Sequence, residues 1–150
     1  LILRRIRMFE LHAQLQKDCV VVGDFTLCRV LLLNDSQYPW FILVPRRARM
    51  REVFELADDD RAQFHRESDR LAALLADNFA AEKLNIAALG NMVPQLHVHH
   101  IVRYQTDPAW PAPVWGKLPA KPYEAAALQA VLDKVRIALR GECGFVEEEK

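Results

Sequence analysis

What constrains this chain most is the order of its periodic segments. Extended runs come first, then one long helical stretch, further extended runs and a last helix, with no strand–helix–strand alternation. Cys19-Val20-Val21-Val22, a Gly23-Asp24 break and the run from Phe25 to Leu33 read as a hairpin of β-branched and aliphatic residues. The cluster Asn34-Asp35-Ser36-Gln37-Tyr38-Pro39 reads as a turn, and Trp40-Phe41-Ile42-Leu43-Val44 behind it as a buried strand that stops at Pro45-Arg46-Arg47. Leu84 to Leu89 is a further strand, Gly90-Asn91-Met92 a turn, and Gln95 to Tyr104 a strand carrying three histidines. Because parallel neighbours need a crossover between them, this order predicts an α+β domain built on an antiparallel sheet.

The helical segments are recognised by spacing. Phe64, Ser68, Leu71, Leu75 and Phe79 recur every three or four residues behind Asp58-Asp59-Asp60, acids that suit the positive end of a helix dipole. Leu128, Val131, Leu132, Val135 and Leu139 share a face of a final helix from about Tyr123 to Arg140, with Gly141 as its stop. A short helix is expected between Met8 and Lys17, and residues 106–122 form a loop rich in Pro and Trp.

The chain of 150 residues, 51% of them hydrophobic, is long enough to bury a core without staples, and residues 8–150 read as a single domain. Residues 1–7 read as an extension, with Met8 a candidate start. Twenty basic side chains balance twenty acidic ones, so the strongly basic footprint of a nucleic-acid binder is missing and no stable nucleic-acid complex is expected. No apolar run approaches the roughly 20 residues of a membrane span. Cys19, Cys28 and Cys143, odd in number and without a CxxC pair, point to free thiols in a reducing, cytoplasmic setting.

The most informative stretch is Gln95-Leu96-His97-Val98-His99-His100-Ile101-Val102-Arg103. Alternation on a strand places Gln95, His97, His99, Ile101 and Arg103 on one face and Leu96, Val98, His100 and Val102 on the other, with same-face neighbours about 6.6 Å apart. Two imidazoles side by side suit phosphate chemistry. One ring nitrogen attacks phosphorus while the other is held by an acceptor, and the second imidazole binds a phosphate oxygen or assists the leaving group. Asn91 and the backbone N–H groups around Met92 add donors for the same anion, and Arg103 a second phosphate contact.

These residues resemble the histidine triad (HIT) superfamily of nucleotide hydrolases and nucleotidyl transferases. Its signature is His-φ-His-φ-His-φ-φ, with φ apolar, after an upstream Gln or Asn. Gly90-Asn91-Met92-Val93-Pro94-Gln95-Leu96-His97-Val98-His99-His100-Ile101 matches without gaps when Gln95 takes the first triad position. In that register His97 matches the nucleophile and His99 the third triad residue. A shifted register would make His99 the nucleophile, but it puts Ile101 third and moves the upstream Asn out of step. Asn34-Asp35 followed by Pro39 to Arg46 is similar to the family's ribose-contacting turn and following strand, and the likeness runs over residues 20–118. The resemblance implies a five-stranded antiparallel sheet carrying the long helix, with a C-terminal helix behind it. It also implies a homodimer with a site in each subunit, a nucleotide substrate and metal-independent chemistry without a cofactor. Two departures stand out: Gln95 replaces the first triad His, and Trp40 stands where many members carry a fourth active-site His.

Blander readings compete at several positions. His97 and His99 could chelate zinc with Asp, Glu, His12 or His65, although no third ligand is specified nearby. His100 reads as a hydrogen-bonded core or interface residue, and His12 and His65 as solvated. Asn34 and Asp35 are turn formers as well as candidate ribose contacts. Trp40 reads as core or as lining a nucleotide site, and Trp110 and Trp115 as loop packing or a wall of the pocket. Two functions follow. One is cleavage of a nucleoside phosphate linkage, a phosphoramidate or a dinucleoside polyphosphate, through a nucleotidyl-His97 intermediate in which Gln95, His99, Asn91, Asn34 and Asp35 position the substrate. The other is nucleotide binding with little catalysis.

Overall fold

The computed structural model describes residues 9–147, so the extension read at residues 1–7, and Met8, lie outside the described residues. The chain runs α1 (Ala13–Asp18), β1 (Cys19–Asp24), β2 (Cys28–Leu33), β3 (Trp40–Pro45), α2 (Asp58–Asn78), β4 (Lys83–Ala88), β5 (Val98–Arg103), α3 (Ala125–Leu139) and β6 (Val146–Glu147). Every strand pair is antiparallel, in the order β4-β5-β3-β2-β1-β6. The α+β architecture expected from the segment order is therefore present, with six strands instead of five.

The sixth strand is short and depends on a glycine. Gly23 lies in β1 beside a bulge and pairs with Glu147, and a Cβ there would stand 2.5 Å from the Val146 carbonyl oxygen and 2.6 Å from the Phe145 ring. The missing side chain lets the C-terminal segment close on the edge. Gly23-Asp24 is thus strand and not the hairpin break expected of it. The turn falls at Phe25-Thr26-Leu27, where the Phe25 N–H donates to the Cys28 carbonyl and Phe25 and Leu27 are buried.

Glu67 of α2 holds that turn. Its carboxylate is fully buried and accepts from the N–H groups of Leu27 at 3.0 Å and Cys28 at 2.8 Å, satisfying donors that the tight turn leaves without ladder partners. β5 is likewise shorter than the expected run from Gln95. Its ladders with β3 and β4 begin at Val98, while the Leu96 N–H donates to the Met50 carbonyl in the loop after β3.

Both faces of the sheet are covered. Phe41, Leu43, Leu96, Val98 and Val102 pack with Phe64, Leu71 and Leu75 of α2 and Leu132, Val135 and Leu139 of α3. On the opposite face Leu31, Trp40, Ile42 and Ile101 form a smaller core with Leu11 and Leu15 at α1 and Ala109 and Val114 of the loop after β5. Trp40 and Ile42 share this face by strand alternation. The second core brings the loop over the sheet where the histidines emerge, so it shapes the site. α1 is shorter than the Met8–Lys17 expectation; His12 serves as its cap, with Nδ1 accepting from the Gln14 N–H at 3.1 Å.

Candidate active site

His97 and His99 emerge on the face of the smaller core, both 7% exposed, with ring centroids 5.0 Å apart and planes at 70°. Their hydrogen bonds assign each a different ring nitrogen. Nδ1 of His97 lies 2.7 Å from the carbonyl oxygen of Gln95. A carbonyl only accepts, so this nitrogen carries the proton and the lone pair remains on Nε2. Nδ1 of His99 instead faces the indole Nε1 of Trp40 at 2.9 Å. The indole only donates, so Nδ1 of His99 accepts and its proton sits on Nε2. The two neighbours therefore offer opposite faces to a ligand: His97 a nucleophilic lone pair, His99 an N–H donor.

Aromatic rings fix this arrangement. Trp115 stands edge-on to His99 with centroids 5.2 Å apart, Trp40 lies 5.7 Å from His99, and the two indoles meet at 5.8 Å. Tyr38 packs edge-on against Trp40. Burial among these rings, with the neighbouring His97 and His100 imidazoles, lowers the pKa of His99 to about 3, so it is neutral near pH 7. His100 points to the other face, where Nδ1 donates to the Val98 carbonyl and Nε2 accepts from Ser68 of α2 at 2.7 Å. It is the hydrogen-bonded core histidine expected, and burial lowers its pKa to about 4.

The remaining expected residues are distributed unevenly. Gln95 reaches the site through its backbone carbonyl; its side chain turns to the N-terminal segment, where Oε1 accepts from the His12 N–H and Nε2 donates to the Glu10 carbonyl, both at 2.9 Å. Arg103 does not present a guanidinium for phosphate. It is 1% exposed and donates to Asp107, to Oδ1 of Asn85 and to the Ala112 carbonyl. These bonds pin the loop after β5, with the Trp110 ring 5.7 Å from the guanidinium. Burial works to raise the Asp107 carboxyl, but the hydrogen bonds and charge of Arg103 prevail and hold it below the usual carboxylate range.

Asn34 and Asp35 close the other end of the same loop. Asn34 Oδ1 accepts from the Tyr123 N–H, and Asp35 Oδ1 accepts from the N–H groups of Gln37 and Lys121. No hydrogen bond or ring contact joins either residue to His97 or His99. Asn91 and Met92 are exposed in the turn before β5, Met92 at 93%. Among the described residues no group of three His, Cys, Asp or Glu side chains is placed to hold a metal ion. Burial pushes the Cys19 thiol up to about 12, and burial together with Glu67 raises that of Cys28, so neither competes as a nucleophile. Sequence reasoning missed the N–H donated by Trp40 and the roles of Asp107 and Glu67, since each depends on a partner far along the chain.

An antiparallel sheet presenting two differently held imidazoles beneath a pinned loop defines a histidine-triad-type protein. The sequence matches the HIT domain over residues 14–106, and the chain belongs to that family. It is similar to a histidine triad protein of Marinobacter aquaeolei VT8, at 49% identity over 89% of this chain and 97% of that one, with a TM-score of 0.87. A histidine triad protein of Bradyrhizobium japonicum is 41% identical over 87% of this chain and 98% of its own, with a TM-score of 0.86. One from Sinorhizobium meliloti 1021 is 44% identical over 87% and 97%, with a TM-score of 0.85. No curated protein matches the sequence. Among the described residues no helix is long and apolar enough to cross a membrane.

Proposed function

We propose that this protein cleaves a nucleoside phosphate linkage through a nucleotidyl-His97 intermediate. The observation that carries this reading is the opposite tautomers of two imidazoles 5.0 Å apart at their centroids. Nε2 of His97 forms an N–P bond to the phosphorus next to the nucleoside as the bond from phosphorus to the leaving group breaks, and the leaving group departs with the electron pair. Nδ1 of His97 keeps its proton against the Gln95 carbonyl, which stabilises the positive charge that develops on the ring. The Nε2–H of His99 donates to a non-bridging oxygen. Asn91, exposed in the turn with no hydrogen bond among the described residues, adds a further donor. Water then forms a P–O bond as the N–P bond breaks, the pair returns to His97 and a proton leaves to solvent.

Gln95 acts here by its backbone, Trp40 by holding His99, and Arg103 by holding the loop. Asn34 and Asp35 fix the 119–123 segment, and the chemistry does not require a ribose contact from them. A homodimer and a cytoplasmic setting remain part of the proposal; three free thiols are consistent with a reducing compartment.

A second reading is nucleotide binding with little turnover. The engagement of the Gln95 side chain with Glu10 and His12 favours it, because the first triad side chain then contributes nothing to the substrate. Incubation with adenosine and guanosine phosphoramidates and dinucleoside polyphosphates, followed by quench and intact-mass measurement, separates the two. A nucleotide-mass adduct in the wild type, absent from His97→Ala together with turnover, is the expected result. Binding without adduct or product across the panel would establish the second reading.

A further inference from the structure

The peptide group between Gln95 and Leu96 uses both of its polar atoms outside the sheet. Its carbonyl oxygen accepts from Nδ1 of His97 at 2.7 Å, and its N–H donates to the Met50 carbonyl at 2.9 Å. The β5 ladders begin at Val98, so strand pairing does not hold this peptide plane. Its orientation nevertheless decides which nitrogen of His97 carries the proton, because this carbonyl is the acceptor that keeps Nδ1 protonated and Nε2 free.

The side chain of the same residue supplies the missing support. Oε1 of Gln95 accepts from the His12 N–H and Nε2 donates to the Glu10 carbonyl, each at 2.9 Å. These backbone groups lie two residues apart, and a carboxamide, with its acceptor and donors side by side, clasps both. The ring nitrogens of an imidazole diverge and could not, so a Gln at the first triad position is matched to the segment it grips. That segment is itself anchored. Leu11, between the two gripped groups, is 6% exposed in the core beneath the site, and its carbonyl accepts from Nε2 of Gln16. The Phe9 ring lies 5.7 Å from the Arg29 guanidinium.

We propose that the Gln95 side chain and residues 10–12 form a strap that positions His97, the carboxamide fixing the main chain of Gln95 and its carbonyl fixing the imidazole. The inference rests on the nucleotidyl-His97 reading and adds a positioning residue to it. The side chain that gives the substrate no contact acts on the nucleophile instead. Released from the strap, the carbonyl turns freely about the Gln95 main chain, and His97 loses the single tautomer that leaves its lone pair on Nε2. Such a loss lowers the rate of the chemical step and leaves substrate binding as it was.

The test removes the grip from either side. Gln95→Met keeps the length of the side chain and loses both hydrogen bonds. His12→Pro removes the N–H at a residue whose φ of −54° a proline accepts, and His12→Ala, which keeps the N–H, is its comparison. With an adenosine phosphoramidate, kcat in Gln95→Met and in His12→Pro is expected about tenfold or more below wild type, with KM within about twofold. His12→Pro should also be about tenfold slower than His12→Ala. The double variant Gln95→Met/His12→Pro should be no slower than Gln95→Met, since both changes break the same bond. In 15N-labelled protein the His97 ring nitrogens should move from the Nδ1–H form toward a mixture in both single variants, with urea midpoints reporting that each is folded. Losses that multiply in the double variant, equal losses in His12→Pro and His12→Ala, or His97 shifts unchanged from wild type would overturn the strap. If the wild type forms neither product nor adduct, the reading of His97 as nucleophile fails, and the His97 shifts decide the strap alone: moved in both variants they uphold it, unmoved they overturn it.

Discussion

The indole N–H of Trp40 points at Nδ1 of His99 across 2.9 Å, joining β3 to β5 through side chains 59 residues apart. Trp40 pairs with Ile101 in the β3–β5 ladder, so its indole reaches diagonally back to His99, within range of a long aromatic side chain. The bond decides which nitrogen of His99 faces a ligand. Where a histidine occupied position 40, the same contact could run in either direction; an indole allows only one.

Trp40→Phe keeps most of the ring and removes the donor. Nitrogen chemical shifts of His99 in 15N-labelled protein are expected to move from a single tautomer toward a mixture, while His97 keeps its Nδ1–H form. Turnover should fall about tenfold or more, as for loss of one oriented donor, with stability lowered by about 1–2 kcal/mol. Unchanged His99 shifts in this variant would refute the tautomer assignment.

The two buried histidines make the fold sensitive to acid. His99 at about 3 and His100 at about 4 both lie below the usual 6.5, so the unfolded chain binds more protons than the native state between those values and 6.5. Their contribution is present in full above pH 6.5 and is lost as pH falls through the window. Each contributes a slope of about 1.4 kcal/mol per pH unit there. Urea midpoints measured from pH 7 to pH 4 should fall accordingly, and His100→Gln should flatten the profile; a slope unaltered by that change would contradict the assignment.

Glu67→Ala removes the acceptor of two buried N–H groups in the β1–β2 turn. A loss of about 2–5 kcal/mol is expected, as for orphaning two buried donors. Glu67→Gln retains one carbonyl oxygen and should lose less. Chemical denaturation of the three proteins orders them, and a Gln variant no more stable than Ala would show that the charge, not the retained acceptor, matters.

Gly23→Ala places a methyl group on the Val146 carbonyl and the Phe145 ring. Overpacking of this kind is expected to lower stability by about 1–3 kcal/mol. Hydrogen exchange at residues 145–147 should accelerate far more than in β2 or β3. Equal protection across the sheet would mean that β6 is not held by this close approach.

Much of the architecture was legible in the chain. Alternation put Ile101 with His97 and His99, and Leu96, Val98 and Val102 with His100, and the two cores divide along that line. The helix behind Asp58-Asp59-Asp60 begins at Asp58, and Gly141, with φ 76°, follows the end of α3. The hairpin turn was misplaced because Gly-Asp is a local turn signal, whereas the Gly23 position is decided by Phe145 and Val146 more than a hundred residues later.

The sequence by itself determined the antiparallel character of the sheet, the alternation of faces along the histidine strand, the histidine pair and the resemblance to the HIT family. These follow from periods of two and 3.6 residues and from a contiguous motif, which are local properties of a chain. Only the tertiary structure decided that Trp40 fixes His99, that Glu67 secures the first hairpin, that Arg103 turns from phosphate to Asp107, and that the Gln95 side chain turns to Glu10 and His12. A side chain's partner is chosen by packing across the sheet. Burial without a partner is costly for polar groups, so Trp40, Glu67 and Arg103 each take a donor or acceptor that the fold brings to them, whatever its distance along the chain.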